Sequence, residues 1–302
     1  MKTILFYANC QGKDGLGNLI NNLLPGQFKI TSILVHGFIK NNIPLDIELF
    51  KNADIFIHQP IHDRHGDYST KTVTEYLKPD CELISFPYIY NSAFFTTYGP
   101  MINYTIDTDG IRNEPSDPVL FKNKSFLHGF GHVHDLIRQN KSLEEVIRIF
   151  RKGDMEFNFD RRWDICISKL KEREQICDIK VADFIDSSKN KHMLFLQHNH
   201  PTSCVYLYML EQIAKLLKIE LPGYSGHWDI SDMLKRVQHP VIDEWIGHFN
   251  THNKWIQAVD KYSKKQWNSD VLINYVDNDK YTENEIIDYY IRYCIKIYTD
   301  FA

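Results

Sequence analysis

Cys10 and His200 are the two side chains whose types and settings in the sequence favour nucleophilic chemistry. Cys10 lies in a polar turn at 9–12, between a short apolar run at 3–8 and a helical pattern at 13–24. A thiol at a helix N-terminus faces unpaired backbone N–H groups and the helix dipole, which lower its pKa toward the reactive thiolate. We therefore expect a reactive Cys10. The alternative is a cysteine that only fills the core.

His200 is the candidate base for that thiol. A cysteine nucleophile needs a base or an imidazolium beside it, and the two residues are usually far apart in sequence. His200 follows an apolar run at 193–197 and precedes a helical pattern at about 202–218. In a parallel sheet, the carboxyl ends of the strands share an edge at which ligands bind. The sequence therefore predicts that Cys10 and His200 lie on one edge of a sheet.

The elements that position these residues alternate between strand and helix. Strands are predicted at 3–8, 28–35, 54–58 and 82–86, and helices at 13–24 and 69–78. Strands separated by helices indicate right-handed crossovers and a parallel sheet, so the predicted fold class is α/β.

The organisation of the remaining chain is less regular. We interpret residues 1–220 as a catalytic domain with a helical insertion at about 88–190. Within the insertion, helices are predicted at 131–139, 142–152 and about 164–187. Residues 221–302 are interpreted as a helical C-terminal extension packed on that domain.

The composition is that of a globular protein and argues against several partners. The chain has 302 residues, is 43% hydrophobic and has a net charge of -4 without a basic stripe, so we expect no nucleic-acid partner. No apolar run reaches the ~18 residues of a membrane span. The first apolar run lacks the length and the cleavage site of a secretory signal. Six widely spaced cysteines indicate free thiols and a cytoplasmic location.

The histidines are dense enough to raise the question of a metal site. Imidazole is a good zinc ligand, but none of the histidine spacings matches a zinc motif, and we expect no metal ion. The clusters are His58, His62 and His65; His128, His132 and His134; and His198 and His200.

Three motifs resemble those of the WcbI-type family. They are Ala-Asn-Cys-Gln-Gly at 8–12, His-Gln-Pro-Ile-His-Asp-Arg-His-Gly at 58–66, and Phe-Pro-Tyr at 86–88. More broadly, the polar turn after the first strand and the late His200-Pro201 are similar to the SGNH/GDSL hydrolase superfamily, with Cys10 at the position of the serine. The resemblance covers roughly residues 1–215.

The resemblance implies both a fold and a function. The fold is an SGNH-like three-layer structure with a parallel sheet of strand order 2-1-3-4-5. The function is transfer of an acetyl or other acyl group from coenzyme A to a sugar hydroxyl of a glycan or nucleotide sugar, in capsular or surface polysaccharide biosynthesis. The alternatives are an esterase or sugar deacetylase and a non-catalytic binding protein. Homo-oligomer formation is left open.

The resemblance also assigns roles to residues of the turns. Gln59 lies near the superfamily's asparagine donor to the oxyanion, so its amide and the Cys10 backbone N–H are expected to form an oxyanion hole. Arg64 and His65 are expected to hold a phosphate or pyrophosphate, and Ser69 begins a helix whose N-terminus favours anions. The residues expected to bind cofactor or substrate are Asn9, Gln11, Gly12, Arg64, His65, Ser69, His198 and Asn199.

One position departs from the superfamily pattern. The superfamily's acid lies three residues before the histidine, where this chain has Gln197. A glutamine carbonyl orients an imidazole but does not stabilise an imidazolium as a carboxylate does. A thiol needs less help because it ionises more readily than a hydroxyl. There are two alternatives to this glutamine. An acid from the insertion assists His200, or His200 acts directly on the acceptor hydroxyl. The missing acid favours acyl transfer over hydrolysis.

Overall fold

A computed structural model of the chain describes most of its first two thirds. The described residues are 1–91, 93, 98–100, 128–130, isolated positions between 139 and 149, 159–189 and 194–222. The helices predicted at 131–139 and 142–152 lie largely outside these residues. The predicted C-terminal extension lies outside them from residue 223 onward.

Four parallel strands form a sheet of order β2-β1-β3-β4. The strands are β1 (Lys2–Ala8), β2 (Phe28–Leu34), β3 (Ile55–His58) and β4 (Glu82–Ser85). Each agrees with its prediction to within one residue at either end. The agreement has a simple cause, because strands buried on both faces are near-continuous apolar runs in the sequence.

Helices separate and follow these strands. None of the described helices is long and apolar enough to cross a membrane. They are a π-helix (Gln11–Gly17), α1 (Asn18–Leu23), α2 (Val35–Asn41), α3 (Ile47–Lys51), a 3₁₀ helix (Asp63–Tyr68), α4 (Thr70–Thr74), α5 (Phe159–Glu174), α6 (Ala182–Ser188) and α7 (Ser203–Leu217). The short strands are β5 (Tyr98–Pro100), β6 (His128–Phe130), β7 (Phe195–Gln197) and β8 (His200–Pro201).

The strand order 2-1-3-4-5 is wrong in its fifth member. The run at 193–197 contains β7, but neither β7 nor β8 belongs to the four-stranded sheet. The outer side of β4 is already occupied at its carboxyl end, where the N–H groups of Asp178 and Ile179 donate to the Ser85 carbonyl. The Asp178 carboxylate also accepts from the Ser85 N–H at 2.8 Å. The backbone groups of Ser85, with which a fifth strand would pair, are therefore used.

The predicted helix at 164–187 is two helices, α5 and α6. The chain leaves the helical path between them, where Asp178 bonds to Ser85. Glu174 then accepts from the N–H groups of Val181 and Ala182 through one carboxylate oxygen, at 2.7 and 3.0 Å. These contacts provide acceptors for N–H groups at the start of α6 that have no partner within the helix. The break between α5 and α6 is therefore a hydrogen-bonded turn.

The chain divides into two compact units. Among the described residues, the first contains 1–89, 167–188 and 200–222, including the whole parallel sheet. The second contains the remaining described residues, among them 159–166 and 194–199. The predicted domain limits, 1–220 and 221–302, stay a prediction.

The π-helix packs directly on β1 and on α7 within the first unit. Alternate residues of a strand face opposite sides, and Leu5 and Tyr7 lie in an apolar cluster with Phe50 and Phe56. On the other side, a Cβ added at Gly12 would lie 2.8 Å from the Ala8 Cβ. The polar turn that carries Cys10 therefore continues into a helix with very little space between it and the strand.

Gly15 makes an equally close approach to α7 and provides a test of this packing. A Cβ at Gly15 would lie 2.5 Å from Cζ of Tyr206, a buried ring that cannot easily move. We expect Gly15→Ala to lower the free energy of unfolding by about 1–3 kcal/mol, the usual cost of overpacking. Urea denaturation followed by circular dichroism measures this.

Gly37→Ala is the matched control, because nothing lies within 4 Å of a Cβ added in α2. It should leave stability unchanged or raise it by about 0.5 kcal/mol. Equal effects of the two substitutions would contradict the close contact between the π-helix and Tyr206.

Candidate active site

The structure brings Cys10 and His200 together. The Sγ atom of Cys10 lies 3.8 Å from Nε2 of His200, although the residues are 190 positions apart. Cys10 is the N-cap of the π-helix after β1, and His200 begins β8 shortly before α7. This distance fits a hydrogen bond between a thiol and an imidazole, through which the imidazole can accept the thiol proton.

Asn9 shapes the turn that carries the thiol. Its side-chain carbonyl accepts from the Gln11 N–H at 2.9 Å, and its backbone carbonyl accepts from the Gly12 N–H at 3.1 Å. The Asn9 N–H itself donates to Oε1 of Gln59 at 3.0 Å. These contacts give Asn9 a structural part within the turn, and its expected role in ligand binding stays a prediction.

Burial, and to a smaller extent the negative charge of Asp14, raise the pKa of the Cys10 thiol to about 11. The backbone N–H groups of Cys10 and Gln11 act in the opposite direction. The expected lowering of this pKa is therefore wrong, because desolvation outweighs the helix N-terminus. The thiol is protonated at neutral pH, so it needs a base before it can act as a nucleophile.

Gln59 and Gln11 form a buried pair beside the thiol. Nε2 of Gln59 donates to Oε1 of Gln11 at 3.0 Å. An amide nitrogen carries two hydrogens, so one Nε2 hydrogen of Gln59 is used inside the protein. Its role as an oxyanion donor stays a prediction that rests on the second hydrogen.

The segment after β3 carries the three residues predicted to bind an anion. Arg64 is exposed, and its Nε donates to Nε2 of His65 at 3.3 Å. Ser69 is buried, and its hydroxyl accepts from the Thr72 N–H at the start of α4. The structure therefore gives Ser69 a helix-capping role. The helix that it caps, α4, has only five residues.

His198 and Asn199 belong to the second unit. The His198 carbonyl accepts from the Asn91 N–H at 2.7 Å, and its ring meets that of Tyr90 edge-to-face at 5.0 Å. Asn199 is half-buried. Gln197 is the last residue of β7.

Two acids near the sheet edge were not singled out in the sequence. The sequence does contain a signal for Asp14, since this residue lies four positions after Cys10 in the same helix. Asp178 has none, because it falls inside a predicted helix. Its charge favours the protonated form of His58, yet burial lowers the pKa of His58 to about 4. His58 is therefore a neutral side chain, stacked on Phe56 at 4.9 Å.

No group of three or more His, Cys, Asp or Glu side chains in the described ranges is arranged to hold a metal ion. His62 and His65 are used locally instead. Nδ1 of His62 accepts from the Arg64 N–H at 3.0 Å, and His65 contacts the Arg64 side chain.

Comparisons with known proteins point to one family. The family profile described as polysaccharide biosynthesis enzyme WcbI matches residues 3–222. A solved structure of WcbI, a polysaccharide biosynthesis enzyme, is described as the native protein without a disulfide bond between coenzyme A and a cysteine. It is similar to this chain with a TM-score of 0.62 and 15% identity, over 98% of this chain and 99% of that one. No curated protein matches.

Removal of the Asp14 charge tests the electrostatic description of the thiol. We expect Asp14→Asn to lower the pKa of Cys10, with a shift of roughly 0.5 pH unit in the midpoint of alkylation. The measurement is the rate of iodoacetamide modification against pH, followed by mass spectrometry of the Cys10 peptide. Asp67→Asn makes the same charge change at an exposed position and should match the wild type. An unchanged midpoint in Asp14→Asn would contradict the description.

Proposed function

The chain belongs to the WcbI family of polysaccharide biosynthesis enzymes, and on this basis we propose that it is a coenzyme A-dependent acyltransferase. The acceptor in this proposal is a sugar hydroxyl of a glycan or nucleotide sugar, in capsular or surface polysaccharide biosynthesis. The observation that carries the proposal is the distance of 3.8 Å between Sγ of Cys10 and Nε2 of His200. An SGNH-like arrangement and a cytoplasmic location belong to the same proposal.

The proposal places coenzyme A at the Cys10 turn, and the cysteines of the chain support this placement. The description of the solved WcbI structure names coenzyme A together with a cysteine of that protein. Among the described cysteines of this chain, Cys10 alone is partly exposed, and Cys81, Cys166, Cys177 and Cys204 are buried. Cys10 is therefore the described thiol that a bound thioester can reach.

The proposed reaction has two transfers. Nε2 of His200 accepts the Sγ proton, and the thiolate attacks the thioester carbonyl of acyl-CoA. The carbon–sulfur bond to CoA breaks, and CoA leaves with the proton from the imidazolium. In the second transfer His200 takes the proton of the sugar hydroxyl, whose oxygen attacks the acyl-cysteine. The Cys10 sulfur leaves and regains its proton from His200.

Oxyanion stabilisation in both transfers needs donors that are not already in use. The Gln11 N–H donates to the Asn9 side chain. The proposed donors are therefore the Cys10 N–H and the second Nε2 hydrogen of Gln59. Fixed donors of this kind stabilise the charge of a tetrahedral intermediate without reorganisation.

Direct transfer is a second candidate mechanism, favoured by one observation. Burial raises the pKa of Cys10 to about 11, which leaves little thiolate at neutral pH. In this mechanism His200 takes the proton of the sugar hydroxyl, and that oxygen attacks the carbonyl of the bound thioester. The carbon–sulfur bond to CoA breaks, and CoA leaves with the proton from the imidazolium. Cys10 then positions the thioester and is not acylated.

The turnover of acetyl-CoA tests the proposal. Purified protein is incubated with acetyl-CoA, with and without nucleotide sugars and capsular oligosaccharides, and free CoA is measured. We expect CoA release that depends on an acceptor. Cys10→Ala and His200→Gln should each reduce it at least about a hundredfold, the usual contribution of such groups. Cys166→Ala removes a buried thiol and is the control that should retain activity.

Other results would overturn parts of the proposal. Full turnover by Cys10→Ala would show that the reaction does not need Cys10. Acceptor-independent release of CoA, or release of acetate from an acetylated glycan, would indicate a hydrolase.

A further inference from the structure

The side chain of Gln11 uses both ends of its amide within the protein. Its Oε1 accepts from the Ile89 N–H at 3.1 Å and from Nε2 of Gln59 at 3.0 Å. Its Nε2 donates to the Ile89 carbonyl at 2.7 Å. The side chain is 0% exposed, so these contacts are made away from water, where an unmade hydrogen bond is costly.

The backbone that Gln11 binds is itself firmly held. The Phe86 N–H donates to the His58 carbonyl at 2.9 Å, which ties the start of the loop to β3. The guanidinium of Arg173 lies 5.6 Å from the centre of the Tyr88 ring. It also donates to the Tyr88 carbonyl at 3.4 Å. Ile89 is fully buried. Gln11 is thus attached to a fixed part of the fold.

The residues on both sides of Cys10 are connected to this anchor. On one side Gln11 binds Ile89 directly. On the other, the Asn9 N–H donates to Oε1 of Gln59 at 3.0 Å, and Gln59 in turn donates to Gln11. The position of the thiol opposite His200 is therefore set by its two neighbours.

We propose that Gln11 is a positioning residue for the reaction. Its amide holds the Cys10 thiol in its half-buried place opposite His200 and orients the amide of Gln59. This role differs from the one in ligand binding that the sequence predicts for Gln11. The inference rests on the proposed function for its consequence in catalysis, while the state of the thiol can be measured without any turnover.

Alkylation of Cys10 against pH tests the inference in Gln11→Met, which keeps the length of the side chain but loses its polar contacts. Without them the turn opens and water reaches the thiol, so the pKa of Cys10 falls. We expect the alkylation midpoint to move down by more than about one pH unit. In acyl transfer, kcat should fall on the order of tenfold, with KM for acetyl-CoA within about twofold of the wild type.

The chain contains a matched control in Gln212. Its Oε1 accepts from the Lys180 N–H at 3.0 Å and its Nε2 donates to the Lys180 carbonyl at 2.8 Å. The geometry is that of Gln11 on Ile89, but the contact lies at the surface, away from the thiol. Gln212→Met should therefore have the alkylation midpoint and the kcat of the wild type.

The outcomes separate this inference from the proposed function. An unchanged midpoint in folded Gln11→Met, or an equal shift in Gln212→Met, would overturn the inference. A shifted midpoint in a protein that transfers no acyl group would support the positioning of the thiol and refute the proposed function alone.

A second variant covers the case in which Gln11→Met does not fold. Gln11→Asn keeps an uncharged amide but shortens the side chain by one methylene, so that it cannot reach Ile89 and Gln59 together. Its alkylation midpoint should lie between those of the wild type and an ordinary exposed thiol. A midpoint equal to that of the wild type would overturn the inference.

Discussion

The hydrogen bonds of two buried carboxamides, Gln11 and Gln59, are the interaction on which the site depends. They join the turn after β1 to the residue that follows β3 and to Ile89 in the loop after β4. One polar network thus joins the three segments that follow β1, β3 and β4 at the sheet edge. A buried network of this kind is stabilising only when all its members are satisfied. The bonds named here satisfy the Gln11 amide at both ends, and the residue types at 9–11 place a polar side chain on each side of the thiol.

This arrangement makes the Cys10 thiol harder to ionise. Held between two bonded neighbours, Cys10 is largely desolvated, and burial raises its pKa to about 11. A helix N-terminus alone would have had the opposite effect. A protonated thiol reacts slowly with oxidants and stray electrophiles, since the thiolate is the reactive form. Nε2 of His200, at 3.8 Å, then becomes the group on which activation depends.

The sequence predicted those features that follow from local pattern. The apolar runs located β1 to β4, and the polar residues after two strands predicted that Cys10 and His200 would meet. It could not predict what occupies the outer side of β4, because Asp178 is 93 residues away from Ser85. The pKa of Cys10 was missed for the same reason, since burial depends on tertiary packing. The hydrogen bond from Gln11 to Ile89 joins residues 78 positions apart, and the hydrophobic periodicity of the sequence does not predict it.

Equilibrium binding of coenzyme A to protein with a free or a blocked Cys10 shows whether the ligand occupies the turn that carries this thiol. Native mass spectrometry is applied to wild-type protein before and after modification of Cys10 by iodoacetamide, with Cys10→Ala under the same treatment as the control. The account predicts one bound CoA per untreated chain, loss of the complex once Cys10 carries the adduct, and retained binding in treated Cys10→Ala. Binding that survives the adduct on Cys10, or no binding to untreated protein, would contradict the account.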